Sequence, residues 1–304
     1  MANKRSRGAR RRPPPTPWWR TWRILIVAFV SLGAVGLIAV AVVSGGPAPT
    51  VGGATAWATL GTRDVHSLAF DPGDPQHLYF GHHNGLLESR DGGRTWQPTG
   101  LGGADAMNVR AASGTALQIA GHNVYQETSD GGRTWATVPN DLPGLDLHAF
   151  VTDPADQAHA WAYAVGFGLF ESRDQGRHWE LRQPGDWPVL VVTRASGATE
   201  LIGLSAAGLG ASSDGGVTWQ PLAPPGGQIA SLAATPDGSL LVAGTTNGLR
   251  RSADGGKTWQ PTGFSGTAVT VAVAASDPRI VAVVDEKTRF FRSDDGGGTW
   301  PGPR

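Results

Sequence analysis

Hydrophobic and polar positions divide the chain into two regions with different patterns. Residues 24–43 form an apolar run of twenty residues without a charge, ILIVAFVSLGAVGLIAVAVV. At ~1.5 Å rise per residue, such a helix would span the ~30 Å hydrocarbon core of a bilayer. After residue 55, apolar residues instead occur in short groups separated by Gly, Pro, Asn and Asp, which is typical of short β-strands and tight turns. The pattern therefore predicts one membrane helix followed by an all-β region.

The charge on either side of the apolar run indicates its orientation. Residues 1–23 contain eight Lys or Arg and no acidic residue, and after the run the first basic residue is Arg63. Three tryptophans precede the run at the level expected of an interfacial aromatic belt. Because basic flanks stay in the cytoplasm, we expect a cytoplasmic segment at 1–23, a transmembrane helix at 24–43 and an extracytoplasmic remainder.

A cleaved secretory signal is the alternative for this segment. Ala39-Val40-Ala41 offers a small-residue cleavage site. The apolar run is longer than the roughly 7–15 residues of a signal peptide, so we favour a retained anchor and a single-pass protein of the cell membrane. Residues 44–54 are rich in Gly, Pro, Ala and Thr and are predicted to link the membrane to the domain.

The region after the linker contains an internal repeat of the form S-x-D-x-G-x-T-W. The second copy has Thr128 in place of Ser, and the third has His178 in place of Thr. Successive aspartates are 39, 44, 40, 40 and 41 residues apart, a period typical of four-stranded propeller blades. The sequence therefore predicts an all-β, six-bladed β-propeller over residues 55–304. The six aspartates of the repeat are Asp91, Asp130, Asp174, Asp214, Asp254 and Asp295.

The repeat resembles the Asp-box, also called the BNR repeat, of sialidases, sortilin-type (Vps10-like) receptor ectodomains and other glycosidase and assembly-factor propellers. The resemblance covers residues 55–304 and implies that the boxes lie at the propeller edge, on the face away from the ligand-binding mouth. The residue types suit a turn, because Asp accepts backbone N–H groups, Gly adopts positive φ and Trp packs on neighbouring strands. We therefore expect the box aspartates to be structural and not catalytic.

The two ends of the β region suggest how the ring closes. Trp57 lies in Thr55-Ala56-Trp57-Ala58-Thr59, which resembles the strand that follows a box. The chain ends in Trp300-Pro301-Gly302-Pro303-Arg304, which is too short and proline-rich to make a good strand. We therefore expect residues 55–61 to supply the outermost strand of the last blade.

Propeller topology also indicates where a ligand would bind. The links from each fourth strand to the next first strand, and the turns between second and third strands, converge at one end of the central channel. These segments hold five of the eight histidines and several acids. The candidate mouth residues are Arg63, Asp64, His66, His82, His83, Asp105, Asn108, His122, Asp146, His148, Asp186, Trp187, Asp285 and Glu286.

Two kinds of site chemistry can be built from these residues. Imidazole and carboxylate suit zinc and related ions, and the five mouth histidines with Asp64 or Asp105 offer both. No short spacing such as H-x-x-x-H occurs, and loop histidines usually stay solvated or cap turns, so we expect neither a metal nor a cofactor. Trp187 and Phe167 could form a stacking platform for a ligand or plug the channel.

Composition narrows the function further. The chain has no Cys, which excludes disulfides, cysteine-ligated zinc and thiol nucleophiles. Its formal charge of +0 hides an asymmetry, because residues after 23 hold 17 of the 25 basic residues and all 25 acids. An acidic domain is a poor match for nucleic acid, whose phosphates need a basic face, so we expect no nucleic-acid partner.

The resemblance to sialidases does not extend to their catalytic residues. It would imply three arginines that grip a carboxylate, a Tyr nucleophile paired with Glu, and an Asp acid. Arg63 is followed by Asp64 and Val65 where an Arg-Ile-Pro type motif is expected, and Arg110 is the single arginine on the predicted inner strands. No such grip can be assembled, although a different pair of mouth carboxylates could serve a glycosidase.

Two functional hypotheses follow. We favour a membrane-anchored extracytoplasmic propeller that binds a protein, peptide or glycan at its central mouth, by analogy with sortilin-like modules. The alternative is an Asp-box glycoside hydrolase at the cell surface, similar to an exo-sialidase, with its site at the same mouth.

Overall fold

The computed structural model describes residues 55–60, 64–112 and 114–304. The predicted basic segment 1–23, the transmembrane helix 24–43 and the linker 44–54 lie outside the described residues, as does Arg63. Within the described ranges, no helix combines the length and the apolar character needed to cross a membrane. The anchor therefore stays a prediction from the sequence.

The described residues form a six-bladed β-propeller, which confirms the fold predicted from the repeat. Six antiparallel sheets follow one another along the chain. The innermost strand of each sheet contacts the innermost strands of the two neighbouring sheets, and the sixth contacts the first. The ring is therefore closed around a central channel, and each sheet is one blade.

The first three blades run outward from the channel in chain order. A two-residue strand, β1 (Thr55–Ala56), precedes them and is followed by a 3-10 turn at Trp57–Thr59. The first blade contains β2 (Ser67–Phe70), β3 (Leu78–His82), β4 (Gly85–Ser89) and β5 (Thr95–Gly102). The second contains β6 (Asn108–Ala111), β7 (Leu117–Gly121), β8 (Val124–Thr128) and β9 (Ala136–Thr137). The third contains β10 (Leu147–Thr152), β11 (Ala160–Ala164), β12 (Gly168–Ser172) and β13 (Glu180–Gln183).

The last three blades repeat this plan, with a second 3-10 turn at Ala195–Gly197. The fourth contains β14 (Val189–Thr193), β15 (Glu200–Ser205), β16 (Gly208–Ser212) and β17 (Gln220–Pro221). The fifth contains β18 (Ile229–Ala234), β19 (Leu241–Thr245), β20 (Gly248–Ser252) and β21 (Gln260–Pro261). The sixth has three strands, β22 (Ala268–Ala274), β23 (Asp277–Asp285) and β24 (Phe290–Ser293).

The core lies between the blades. The second strands are the most buried, and every residue of β7, β11 and β19 is buried. Each of these strands is covered on both faces by neighbouring blades, which explains why the sequence shows short continuous apolar runs there and not strict alternation. Apolar clusters between consecutive blades join them into one domain.

The six repeated hairpins are held by side-chain bonds to their own backbone. In the fourth copy, Asp214 accepts hydrogen bonds from the amide and the hydroxyl of Thr218, and these bonds hold its pKa at about 2. Ser212 Oγ donates to Asp214 Oδ1 (2.8 Å), and Gly216 N donates to Ser212 Oγ (2.9 Å). Trp219 Nε1 donates to the carbonyl of Gly216 (3.0 Å). The carboxylate is fully engaged in shaping a turn.

In each of the other five copies the hydroxyl at the first position donates to the aspartate. In the fifth copy Trp259 Nε1 donates to the carbonyl of Ala223 (2.9 Å) and not to a hairpin glycine. In the third copy His178 Nδ1 contacts Asp174 Oδ2 (2.5 Å), where the other copies use a Thr hydroxyl. The hairpins follow the third strand of each blade, at the end opposite to the turn that joins the second and third strands. They therefore lie on the face away from the channel end where that turn lies.

The prediction for ring closure was wrong. β1 pairs with β5 of the first blade, through Thr55 opposite Trp96, and does not join the last blade. The Trp57 ring instead packs against Phe290 of the last blade, with centroids 5.4 Å apart. Trp57 Nε1 also donates to the carbonyl of Thr288 (2.7 Å). The bulky ring fills the seam between the two blades, and the open edge of β5 takes the strand.

Candidate functional site

The central channel opens among the first residues of the inner strands. The cavity at this opening has a volume of about 200 Å³ and takes side chains from all six blades. The matching positions are His66, Asn108, His148, Leu190, Ala230 and Thr270. The histidines and the asparagine at these positions therefore come from the first three blades, and smaller or apolar side chains come from the others.

Seven of the predicted mouth residues form one connected group, which we call the mouth cluster. They come from the starts of β2 and β10, from the β3–β4 and β7–β8 turns, and from the link between β5 and β6. Three overlapping sets of these side chains place their ligand atoms within 4.8 Å of one another. The mouth cluster consists of Asp64, His66, His83, Asp105, His122, Asp146 and His148.

The first-blade part of the cluster is built on Asp64. Its Oδ2 accepts a hydrogen bond from the backbone N–H of His83 (2.7 Å) and also contacts His83 Nδ1. His66 Nε2 lies 2.7 Å from His83 Nδ1 and 3.2 Å from Asp64 Oδ1. The carboxylate therefore fixes the turn and both rings at the channel entrance.

Asp105 connects the first blade to the second. Its Oδ1 lies 3.2 Å from His66 Nε2, and its Oδ2 lies 2.5 Å from His122 Nδ1. His122 is the next side chain of the cluster and reaches toward the third blade. One carboxylate thus holds two imidazoles that belong to different blades.

The third part of the cluster is a triangle of two imidazoles and one carboxylate, contributed by the second and third blades. His122 Nε2 lies 3.2 Å from His148 Nε2. Asp146 Oδ1 lies 3.3 Å from the first of these nitrogens and 3.1 Å from the second. An isolated β-bridge between His122 and Asp146 holds the two backbones in register.

Burial affects the protonation of the mouth histidines. Desolvation lowers the pKa of His66 and of His148, and it outweighs the opposite effect of the neighbouring carboxylates. The pKa of His82 is lowered for the same reason. Neutral imidazoles with free lone pairs are therefore favoured at pH 7, which is the form that accepts hydrogen bonds or binds a metal. His82 lies beside the cluster and stacks on Phe80.

The remaining predicted mouth residues are not part of the cluster. Asn108 Nδ2 donates to the carbonyl of Leu147 (3.0 Å) and so joins the second and third blades. Asp186 Oδ1 accepts a hydrogen bond from the hydroxyl of Tyr163 (2.6 Å). Trp187 is 8% exposed and stacks on Trp219 in the core between blades, so it is neither a platform nor a plug.

Asp285 and Glu286 differ in their surroundings although they are neighbours. Asp285 is completely buried, and its Oδ1 accepts hydrogen bonds from the amides of Lys287 and Arg289. Its Oδ2 is paired with the guanidinium of Arg289. This carboxylate caps the β23–β24 turn and is not open to a ligand, whereas Glu286 is exposed.

A second polar group was missed by the sequence analysis. At the hairpin end of the third and fourth blades, Glu171 and His159 line a cavity of about 500 Å³ and contact each other (2.5 Å). The Glu171 carboxylate also pairs with the guanidinium of Arg182 (2.5 Å). The same cavity is lined by Asp153 and Arg194, which are 3.0 Å apart. A comparison of the six repeats could have indicated the His159–Glu171 pair, because His77 and Glu88 form a corresponding pair in the first blade.

The fold and the site together define a six-bladed propeller with an open, histidine-rich mouth. No family model matches the chain, and comparison with curated proteins gives no match. Among solved structures, the chain is similar to YCF48 bound to D1 peptide, with 22% identity and a TM-score of 0.51 over 78% of this chain and 80% of that one.

Two further structures are similar in the same way. YCF48 from Cyanidioschyzon merolae has 20% identity and a TM-score of 0.52 over 81% of this chain and 86% of that one. A GH74 enzyme from Niastella koreensis has 17% identity and a TM-score of 0.55 over 78% of this chain but only 46% of the enzyme. At these identities the likeness concerns the fold alone.

Proposed function

We propose that the chain is a membrane-anchored, extracytoplasmic propeller of the Asp-box class that binds a peptide segment of another protein at its mouth. The basic segment and apolar run before residue 44 support the anchor and its orientation. The turn-forming bonds of the six hairpins support the Asp-box class. The similar structure of YCF48 bound to D1 peptide supports a peptide as the kind of ligand.

The size of the channel opening is the observation that carries this proposal. Its volume of about 200 Å³ is smaller than the roughly 300–1,000 Å³ of pockets that enclose a small molecule. Such an opening can receive one side chain or a chain end, while the rest of the ligand lies across the surrounding turns. A glycosidase instead needs an open cleft with two carboxylates available for acid and base roles, and here Asp64, Asp105 and Asp146 each lie within 3.2 Å of an imidazole nitrogen.

An exposed aromatic residue on the same face offers a contact for an apolar side chain. Phe167 lies in the turn between β11 and β12 and is 48% exposed. The turn is shaped by a hydrogen bond from the Phe167 amide to the carbonyl of Ala164 (3.0 Å). Aromatic side chains, including Phe, are enriched at protein–protein interfaces.

Replacing Phe167 by alanine is expected to weaken peptide binding at least about tenfold, because truncation of a central aromatic costs 1–2 kcal/mol or more. The purified full chain is screened on peptide and glycan arrays, and affinities for the best peptide are then measured by titration calorimetry. Val217→Ala is the matched control, since Val217 is 42% exposed but lies in a hairpin on the opposite face. Its affinity should equal that of the unchanged chain.

The glycoside hydrolase hypothesis predicts a different outcome of the same screen. The chain would bind glycans in preference to peptides and would hydrolyse an aryl glycoside. Replacement of a mouth carboxylate, such as Asp146→Asn, would abolish that hydrolysis, and replacement of a hairpin aspartate would not. This result would refute the binding proposal.

The topology can be tested because the chain has no cysteine of its own. A cysteine at Ser213, which is exposed on the fourth hairpin, should react with a membrane-impermeant maleimide in intact cells. A cysteine at Ser6, in the basic segment, should react only after the membrane is opened. Labelling of the Ser6 variant in intact cells, or release of the domain from the membrane fraction, would contradict a retained anchor in this orientation.

A further inference from the structure

We propose that His122, Asp146 and His148 form a binding site for one divalent transition-metal ion of the zinc class. The ligand atoms are His122 Nε2, His148 Nε2 and Asp146 Oδ1. Imidazole nitrogen together with carboxylate oxygen is a donor set that suits zinc. The proposal rests on geometry at the mouth and holds whichever ligand the propeller recognises.

The spacing of the three donor atoms matches the ion. Their separations of 3.1, 3.2 and 3.3 Å form an almost equilateral triangle. A tetrahedral zinc ion with bonds of about 2.0–2.1 Å keeps its ligand atoms about 3.3 Å apart. An ion placed just above this triangle would therefore reach all three atoms with little movement, and its fourth position would face away from them.

The ring of His122 is oriented as a metal ligand requires. Its Nδ1 is directed at Asp105 Oδ2 (2.5 Å), so the proton of a neutral ring resides on Nδ1. Nε2 then carries the free lone pair and faces the triangle. A carboxylate that accepts the distal N–H of a ligating histidine fixes its tautomer and increases its basicity, which makes Asp105 a positioning residue.

The carboxylate of Asp146 gives a second, independent observation. Its Oδ1 is shielded from solvent but accepts no hydrogen bond of acceptable geometry, although both imidazole nitrogens lie within 3.3 Å. A buried oxygen without a donor is costly, and an ion at the centre of the triangle would satisfy it. The three residues otherwise remain partly exposed, with side-chain exposures of 42%, 47% and 24%, so an ion can reach them from solvent.

The Asp64–His66–His83 set of the first blade fits an ion less well than the triangle does. His66 Nε2 and His83 Nδ1 are only 2.7 Å apart, which is a hydrogen-bond distance and shorter than the separation around tetrahedral zinc. Asp64 is also occupied by the amide of His83. We therefore assign the ion to the triangle and not to the Asp64–His66–His83 set.

Titration of the chelator-treated full chain with zinc chloride tests the proposal. Calorimetry should give one ion per chain with a dissociation constant of about 1 µM or tighter. Cobalt in place of zinc should give the visible spectrum of a tetrahedral ion. Asp105→Asn should weaken zinc binding about 10–100-fold, the usual effect of losing a residue that orients a metal ligand. His148→Ala removes a ligand itself and should weaken zinc binding by more than about 100-fold.

Two controls separate loss of the site from loss of the fold. His178→Ala removes an exposed histidine on the opposite face and should leave zinc affinity unchanged. The metal-free variants should melt close to the metal-free unchanged chain, whereas zinc should raise the melting temperature of the unchanged chain and of His178→Ala more than that of His148→Ala. His148→Gln replaces the ligand with a side chain of similar size if the alanine variant folds poorly.

Three results would overturn the proposal. Zinc binding weaker than about 1 mM, equivalent to only about 4 kcal/mol, would show that the triangle is a hydrogen-bonded network without a metal function. Equal binding by His148→Ala and the unchanged chain would place the ion elsewhere. Loss of zinc binding in His83→Ala but not in His148→Ala would assign the ion to the Asp64–His66–His83 set.

Discussion

Replacing Trp57 by alanine is expected to lower the free energy of unfolding by about 3–5 kcal/mol, the usual cost of emptying a buried tryptophan site. The ring is 4% exposed and contacts Phe80 and Trp96 of the first blade as well as Phe290 of the last. The variant also leaves the carbonyl of Thr288 without its indole donor. The effect should be large because one side chain joins the two ends of the ring.

Urea denaturation followed by tryptophan fluorescence and circular dichroism measures this change. Leu181→Ala is the control, because Leu181 is exposed on an outer strand and should change stability by less than about 0.5 kcal/mol. Trp57→Phe should recover part of the loss, since phenylalanine retains apolar contact but cannot donate to Thr288. A loss below about 1 kcal/mol for Trp57→Ala would mean that the ring closes without this residue.

Replacing Asp285 by alanine is expected to lower the free energy of unfolding by about 2–4 kcal/mol, because two turn amides and a guanidinium lose a buried acceptor. Most of this figure comes from the amides of Lys287 and Arg289, since the Arg289 side chain is about half exposed and its ion pair is weakened by solvent. Peptide and zinc affinities of the folded variant should be unchanged.

Glu286→Ala is the matched control for this prediction. Glu286 is the next residue, carries the same charge and is exposed, so its replacement should change stability by less than about 0.5 kcal/mol. Thermal melting and zinc titration of both variants distinguish a structural carboxylate from one at a binding site. An unchanged melting temperature together with lost binding in Asp285→Ala would mean that this carboxylate takes part in binding at the mouth.

The number of blades could be predicted from the sequence because each repeated hairpin is stabilised locally. All of the bonds made by Asp214 join residues no more than four positions apart, so the motif is complete within eight residues. Closure of the ring could not be predicted in the same way. The bond from Trp57 to Thr288 spans 231 residues, and no local pattern indicates which blade edge accepts β1.

The structure brings seven of the predicted mouth residues together and places the others apart from them. Topology alone places the starts of β2, β6 and β10 at one end of the channel, and the mouth cluster lies there. Topology does not give the direction of a loop side chain, so the burial of Trp187 and Asp285 could not be predicted from it. The search for closely spaced ligands also missed the triangle, because His122 and His148 come from different blades, 26 positions apart.

The most direct test of this account is an anomalous difference map, collected at the zinc absorption edge from crystals of the full chain grown with zinc. The account predicts one strong peak at the channel entrance, about 2.0–2.2 Å from His122 Nε2, His148 Nε2 and Asp146 Oδ1. A peak at the hairpin face, for example beside Asp174 and His178, or no peak within reach of the second and third blades, would contradict it.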